Sequence, residues 1–123
     1  MAHVVAYIPD LLFGSRVQAG LAADGHTVEL VGDAGVMRDT LAGANALVVD
    51  LTDEVPSRTG LVELLSGEGL LDGIRTLAFY SHVEADTRQR AENAGFDLVI
   101  PRSRMAREGA SLLTQLVDTG SGD

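Results

Sequence analysis

The stretch Ala46-Leu47-Val48-Val49-Asp50-Leu51 decides the fold. Residues 46–49 are apolar on both faces of an extended chain, which is typical of a strand in a parallel sheet that is covered by helices on each side. Asp50 follows at the carboxyl end of this strand, the end at which open parallel sheets bind their ligands. We therefore predict a central parallel strand that carries Asp50 to the ligand-binding edge of an α/β domain.

The alternation of strand and helix continues along the whole chain. Short apolar or β-branched runs predict strands, and apolar residues at helical spacing predict the helices between them. Alternating elements favour right-handed parallel crossovers and a doubly wound sheet. The predicted strands of this five-stranded sheet are residues 4–8, 27–31, 46–49, 76–80 and 98–100.

Turn and capping residues predict where the helices begin and end. Pro9-Asp10 makes a turn and a cap for the first helix, Asp33 caps the second, and Gly95 ends the fourth in the left-handed conformation. The third helix is predicted to follow a loop that contains Pro56 and to be defined by Leu61, Leu64 and Leu65.

The composition excludes several classes of function. The 123 residues predict one domain, residues 1–118, with a flexible tail at 119–123. The absence of cysteine excludes disulfides and thiolate metal sites, and the net charge of -9 disfavours nucleic acid and anionic membranes as partners. No apolar run approaches the roughly 18 to 20 residues of a membrane span, and the N-terminus lacks the pattern of a secretion signal. We expect a cytoplasmic protein with protein partners.

Polar side chains follow four of the predicted strands. They are Asp10, Asp50, Ser81 and Arg102. The carboxyl ends of parallel strands meet at one edge, so we expect these residues to converge there. Two carboxylates, a hydroxyl and a guanidinium could together hold a hard cation and a phosphoryl group.

Three segments resemble the receiver domains of response regulators. Residues 46–51 look like the third strand of the family, with its phosphoacceptor aspartate, and residues 24–28, Asp-Gly-His-Thr-Val, resemble its entry into the second strand. Residues 81–98 are similar to its fourth helix and the Ala-Gly turn that follows. The resemblance runs from about Val4 to Val117 and implies a flavodoxin-like fold with strand order 2-1-3-4-5.

The resemblance also implies roles for individual residues. Asp50 would be the phosphoacceptor and Asp10 a ligand of Mg²⁺, with the backbone carbonyl of Thr52 completing the protein's share of the metal site. Ser81, or Tyr80 if the alignment shifts by one position, would supply the hydroxyl that turns toward a bound phosphoryl group. No other cofactor is implied.

The sequence departs from the family at several of these positions. Receivers normally carry adjacent acids after the first strand, whereas Pro9 and Leu11 flank Asp10 here. The family's phosphate-binding lysine has no counterpart because the chain contains no lysine, and Arg102 stands in its place. Val99 occupies the position at which many receivers carry a switch aromatic. We therefore predict a degenerate member, a pseudo-receiver.

Each site residue also has an ordinary structural interpretation. Asp10 could act only as a helix cap, and residues 81–84, Ser-His-Val-Glu, have the spacing of a capping box that would use Ser81 in the same way. Arg102 would either pair with Asp50 in the resting state or be a solvated arginine. The three histidines share no metal-ligand spacing and are predicted to lie at the surface: His3, His26 and His82.

Three functions remain open from the sequence. The leading hypothesis is a stand-alone receiver-like signalling module, not an enzyme beyond self-phosphorylation, with weak or absent phosphorylation of Asp50. It would contact a kinase, an output protein or a second copy, as a homodimer, through the surface around residues 82–107. The second is a competent receiver that uses Mg²⁺, with Arg102 in place of lysine and Asp53 or Glu54 as the additional acid. The third is a flavodoxin-like domain, or small enzyme, that binds a nucleotide or metabolite at the same edge.

Overall fold

Strands and helices alternate throughout the part of the chain that the structure describes, residues 2–81 and 86–121 of a computed structural model. The strands are β1 (His3–Tyr7), β2 (Thr27–Val31), β3 (Ala46–Leu51), β4 (Arg75–Tyr80) and β5 (Leu98–Pro101). The helices are α1 (Leu11–Ala23), α2 (Ala34–Thr40), α3 (Val55–Gly67), α4 (Thr87–Ala94) and α5 (Arg102–Ser121).

The strands form one parallel sheet in the order β2-β1-β3-β4-β5. Tyr7 pairs with Val49, Asp50 with Phe79, and Tyr80 with Pro101, so the carboxyl ends of the neighbouring strands lie close to level. Every residue of β3 is buried, as the unbroken apolar run of this strand predicts. The predicted five-stranded, doubly wound sheet and its strand order are confirmed.

Two apolar clusters hold the helices against opposite faces of the sheet. On one face, α1 and α5 pack through Phe13, Leu21 and Leu113, and the rings of Phe13 and Phe79 lie 5.1 Å apart. On the other face, α2, α3 and α4 pack through residues that include Met37, Leu65 and Ala91. Burial of both faces is the main source of stability for such a layered domain.

The predicted helix caps are confirmed at three positions. Asp10 Oδ1 accepts hydrogen bonds from the backbone N–H groups of Leu12 and Phe13, at 3.1 and 3.2 Å. Asp33 Oδ1 accepts the N–H of Val36 at 3.0 Å, and Gly95 ends α4 with φ of 100°. These bonds satisfy donors that a helix N-terminus otherwise leaves unpaired.

The N-terminus of α4 differs from the capping-box prediction. The helix begins at Thr87, and Asp86 occupies its N-cap position. Ser81 therefore does not cap α4. The remaining residues of the predicted box, 82–84, lie outside the described residues.

Helix α3 begins earlier than predicted, and two of the three leucines that define it, Leu61 and Leu65, pack in the core. It starts at Val55, with Pro56 in its first turn, where a missing N–H costs nothing. Leu64 is 56% exposed. The buried residues of the helix are Arg58, Thr59, Val62 and Leu65.

The C-terminal helix is longer than expected from the sequence. Helix α5 continues to Ser121, past the predicted domain limit at residue 118, and residues 122–123 lie outside the described part. The division into a domain and a flexible tail stays a prediction. No helix within the described residues is long and apolar enough to cross a lipid bilayer.

Candidate functional site

The four polar residues predicted to converge lie at the same edge of the sheet. Asp10 follows β1, Asp50 is near the end of β3, Ser81 follows β4 and Arg102 follows β5. These strands are neighbours in the order β1-β3-β4-β5, and all of them are parallel. We call this edge, defined by Asp10, Asp50, Ser81 and Arg102, the carboxyl edge.

Asp50 is a buried aspartate whose carboxylate is held by the loop that follows it. Only 4% of the residue is exposed. Its Oδ1 accepts hydrogen bonds from the backbone N–H of Thr52 at 2.8 Å and from the Thr52 hydroxyl at 2.5 Å. An aspartate that bonds the backbone two residues ahead forms an Asx-type turn, which fixes both the loop and the acid. One carboxylate oxygen is therefore already engaged within the chain.

Arg102 contacts Asp10 rather than Asp50. Its Nη2 lies 3.8 Å from Asp10 Oδ2, and its guanidinium carbon lies 4.0 Å from the centre of the Phe13 ring. The aromatic face and the carboxylate both belong to the first turn of α1 or its cap, so they attract the cation together. The expected resting pair between Arg102 and Asp50 is wrong, whereas Arg102 is half exposed to solvent, as the alternative predicted, with Asp10 and Phe13 as its contacts.

Ser81 lines an open pocket of about 450 Å³ beside the carboxyl edge. The pocket lies between the loop after β3 and the start of α4, and it also includes Thr52, Asp53, Glu54 and Thr87. Tyr80, the other candidate for the switching hydroxyl, is half-buried and ends β4. The two acids in the lining make the pocket unfavourable for anionic ligands.

Glu54 adopts a backbone conformation that is uncommon for a residue with a side chain. Its φ is 52°, in the left-handed region, and it occupies the N-cap position of α3 without a side-chain capping bond. Such a conformation costs of order 1 to 3 kcal/mol and persists only where the surroundings enforce it. The Glu54 N–H donates a hydrogen bond to Asp53 Oδ1 at 2.9 Å.

Arg58 is a residue of the carboxyl edge that the sequence interpretation missed. It is only 9% exposed, and its Nη1 donates a hydrogen bond to the backbone carbonyl of Asp50 at 2.8 Å. Its guanidinium carbon also lies 5.4 Å from the centre of the Tyr7 ring. The spacing of Arg58, Val62 and Leu65 is that of one helix face, so this stripe could have indicated a buried arginine.

The histidine prediction is wrong for His26, which is buried. Its Nδ1 accepts the backbone N–H of Ala2 at 3.2 Å, and its Nε2 lies 2.8 Å from the Thr114 hydroxyl. These bonds join the start of β1 to α5. His3 is partly exposed and lies 3.2 Å from Glu29, while His82 lies outside the described residues.

The order of the five parallel strands and the placement of polar residues at their carboxyl ends together identify the architecture. This is the fold of response-regulator receiver domains. A CheY-like response regulator receiver domain protein from Methanospirillum hungatei superposes with a TM-score of 0.81 at 17% identity, covering 99% of this chain and 98% of that chain.

Two further solved structures also superpose on this chain. A protein described as related to pilus assembly, from Burkholderia pseudomallei, gives a TM-score of 0.79 at 18% identity, covering 96% of this chain and 90% of its own. An orphan response regulator of H. pylori gives 0.77 at 13% identity, with 94% and 96% covered. No protein-family model and no curated protein matches the sequence. At these identities the likeness establishes the fold alone.

The residues at the carboxyl edge fit poorly to the Mg²⁺ that the receiver fold commonly binds at its acidic site. A hard cation of this kind needs several oxygen ligands around it. Here Asp10 caps α1 with one oxygen and faces Arg102 with the other, while Asp50 is tied to Thr52. Within the described residues, no group of three or more His, Asp or Glu side chains is arranged to hold a metal ion.

Proposed function

We propose that this chain is a receiver-like signalling module that acts in the cytoplasm through protein contacts and whose Asp50 is phosphorylated weakly or not at all. The receiver fold supports a signalling role. Weak or absent phosphorylation is supported by the contacts of the two carboxylates at the edge. Asp50 is hydrogen-bonded to Thr52, and Asp10 caps α1 and faces Arg102.

The chemistry of phosphoryl transfer explains why this arrangement disfavours modification. The transferred group carries negative charge on its oxygens, and catalysis consists mainly of holding cations against that charge. The chain has no lysine for this purpose. Arg102 is held by Asp10 and Phe13, and Arg58 is directed to the backbone carbonyl of Asp50. Neither arginine forms an ion pair with the Asp50 carboxylate.

The test is incubation with Mg²⁺ and a small phosphodonor such as acetyl phosphate, followed by measurement of the intact mass over time. We expect little or no addition of a phosphoryl group. The matched control is the Asp50→Asn variant, which removes the acceptor carboxylate and keeps the shape of the side chain. Rapid, stoichiometric phosphorylation of the natural chain that disappears in Asp50→Asn would overturn the proposal.

The second candidate is a phosphorylation-competent receiver. It is favoured by the pocket beside Ser81, in which Asp53 and Glu54 lie next to Thr52 and could replace the acid that is missing beside Asp10. This version requires Mg²⁺ to bind at the carboxyl edge. A titration with Mg²⁺, followed through the amide resonances near Asp10 and Asp50, would show saturable shifts if this candidate is correct and none if the leading proposal is.

A third candidate is a small-molecule binding domain or small enzyme. A pocket of about 450 Å³ is within the usual range for a metabolite site. Asp53 and Glu54 in its lining repel phosphates, so a nucleotide is the least suitable ligand. Native mass spectrometry of the purified protein distinguishes the candidates, since a binding domain would retain a copurified ligand and a signalling module would not.

The protein contacts of this module are proposed to use the surface around residues 82–107. Every residue of α4 other than Ala91 and Ala94 is polar, and only Thr87, Ala91 and Ala94 of this helix are buried. Arg88 lies 3.6 Å from Glu92 along the same exposed face, which suits a polar interface with a kinase, an output protein or a second copy. Light scattering of the natural chain and of Arg88→Glu would reveal a homodimer on this surface.

A further inference from the structure

A groove between α1 and α5 lies on the face of the sheet opposite α4. It has a volume of about 220 Å³. Its centre is formed by apolar side chains and two glycines, and an arginine stands on each helix beside it. We define this α1–α5 groove by Val17, Gly20, Met105, Gly109, Arg16 and Arg107.

The groove is open at Gly20 and filled by a side chain at Gly109. A Cβ atom at Gly20 would meet nothing within 4 Å, so this position on α1 faces open space. A Cβ atom at Gly109 would lie 2.9 Å from the sulfur of Met105, which means that Met105 occupies the space that a side chain on α5 would fill. The result is a concave apolar surface that a large aliphatic or aromatic side chain could enter.

The two arginines beside the groove differ from the other arginines of the protein. Within the described residues, neither Arg16 nor Arg107 has an ion-pair partner, and both are exposed. Each of the others contacts a carboxylate or a backbone carbonyl. Those arginines are Arg38, Arg58, Arg75, Arg88, Arg90, Arg102 and Arg104.

The charge of this surface opposes the charge of the whole protein. The chain carries -9, yet residues 11–23 of α1 contain one charged side chain, Arg16, and no acid. The apolar surface also continues beyond the groove, because Leu11 and Leu12 are 73% and 84% exposed at the start of α1. Leu12 and Arg16 line an adjoining depression together with Phe13 and the ion pair of Arg102 and Asp10. Exposed leucines beside unpaired cations are typical of an interaction surface.

We propose that the α1–α5 groove docks an acidic amphipathic helix of a partner protein. An apolar side chain of that helix would enter the groove beside Gly20, against Val17 and Met105, and carboxylates on its flanks would pair with Arg16 and Arg107. This is the helix-in-groove mode, in which apolar anchors provide the contact area and flanking charges provide orientation. The proposal is independent of Asp50 and of its phosphorylation.

The binding test uses synthetic helical peptides as probes with the full chain. The first peptide carries Leu at positions i, i+3, i+4 and i+7 with Glu on the flanks, the second replaces each Glu with Lys, and the third replaces each Leu with Gln. We expect only the first to bind in fluorescence polarisation, to weaken as salt is raised, and to shift the amide resonances of Arg16, Gly20 and Gly109. Equal binding of the Glu and Lys peptides, no binding by the Glu peptide, or shifts confined to another surface would overturn the proposal.

Substitutions in the protein itself test the same groove. We expect the double variant Arg16→Gln/Arg107→Gln to bind the Glu peptide roughly tenfold more weakly, and Arg38→Gln, which removes an exposed arginine from α2, to bind it normally. Gly20→Leu fills the groove with a residue of better helix propensity, so it should fold at least as well and not bind. Binding that survives in Gly20→Leu would contradict the proposal.

Two further measurements test whether a second copy of the chain or a lipid surface occupies the groove instead. Light scattering that shows a dimer of the natural chain and a monomer of Gly20→Leu would assign the groove to a second copy instead. Sedimentation with phosphatidylserine vesicles that depends on Arg16 and Arg107 would assign it to a lipid surface. Either result would overturn the assignment to an acidic helix.

Discussion

The two acids of the carboxyl edge occupy opposite kinds of surroundings. Asp50 is buried, its carboxylate is bonded to Thr52, and its backbone carbonyl accepts a bond from the buried Arg58. Asp10 is about half exposed, caps α1 and faces the equally exposed Arg102. The comparison shows that buried hydrogen bonds hold the Asp50 side of the edge, and breaking them should cost substantial stability. Solvated contacts hold the Asp10 side, and losing them should cost little stability.

The largest expected effect is that of Arg58→Met on stability. The variant keeps an apolar side chain of similar length but removes the bond to the Asp50 carbonyl and the contact with the Tyr7 ring. Loss of a charged hydrogen bond at a buried carbonyl should lower the free energy of unfolding by about 2 to 3 kcal/mol, as measured by urea denaturation. Arg102→Met is the matched control. An equal loss of unfolding free energy in the two variants would contradict the proposed difference between the Asp50 and Asp10 sides of the edge.

The next effect in size concerns Asp50 itself. Asp50→Ala removes the acceptor of both Thr52 bonds and should lower the free energy of unfolding by about 1 to 2 kcal/mol. Asp50→Asn keeps an acceptor oxygen and should lose less. An increase in stability in Asp50→Ala would mean that the carboxylate is repelled by neighbouring acids, which is the signature of a metal-binding cluster and would favour the competent receiver.

A smaller effect is expected at the N-cap of α1. Asp10→Ala leaves the N–H groups of Leu12 and Phe13 without their acceptor and should cost about 1 kcal/mol of unfolding free energy. Asp10→Asn preserves the cap and should cost much less. If both variants lose the same stability, the ion pair with Arg102 matters more than the capping bonds, contrary to the comparison above.

The smallest effect is expected for the exposed ion pair. Arg102→Gln should lower the free energy of unfolding by about 0.5 kcal/mol at low salt, because solvent screens a contact of 3.8 Å between half-exposed groups. The difference from the natural chain should shrink further at high salt. Chemical denaturation at two ionic strengths measures both quantities. A loss as large as that of Arg58→Met would show that the exposed Arg102 contributes as much stability as the buried Arg58, contrary to the comparison.

Much of the fold could be predicted because it depends on local patterns. The apolar run at residues 46–49 requires burial on both faces, and the alternation of strands with helices leaves few topologies that satisfy this. The caps at Asp10 and Asp33 were predictable for the same reason, since a capping bond joins residues two or three positions apart. In α3 the leucines alone do not mark the buried face, because Leu64 is exposed while the charged Arg58 is buried with Val62 and Leu65.

The candidate site also has a part that local sequence patterns predict and a part that they do not. The sequence by itself determined that Asp10, Asp50, Ser81 and Arg102 stand at one edge, because parallel strands carry their following residues to the same side of a sheet. Only the tertiary structure decided what each of these cations contacts: Arg102 turns to Asp10 and Phe13, and Arg58 of α3 reaches the backbone carbonyl of Asp50. The same is true of His26, which bonds Thr114 on a distant helix. Such pairings depend on differences of a few ångströms in how helices pack on the sheet, and residue spacing along the chain does not encode them.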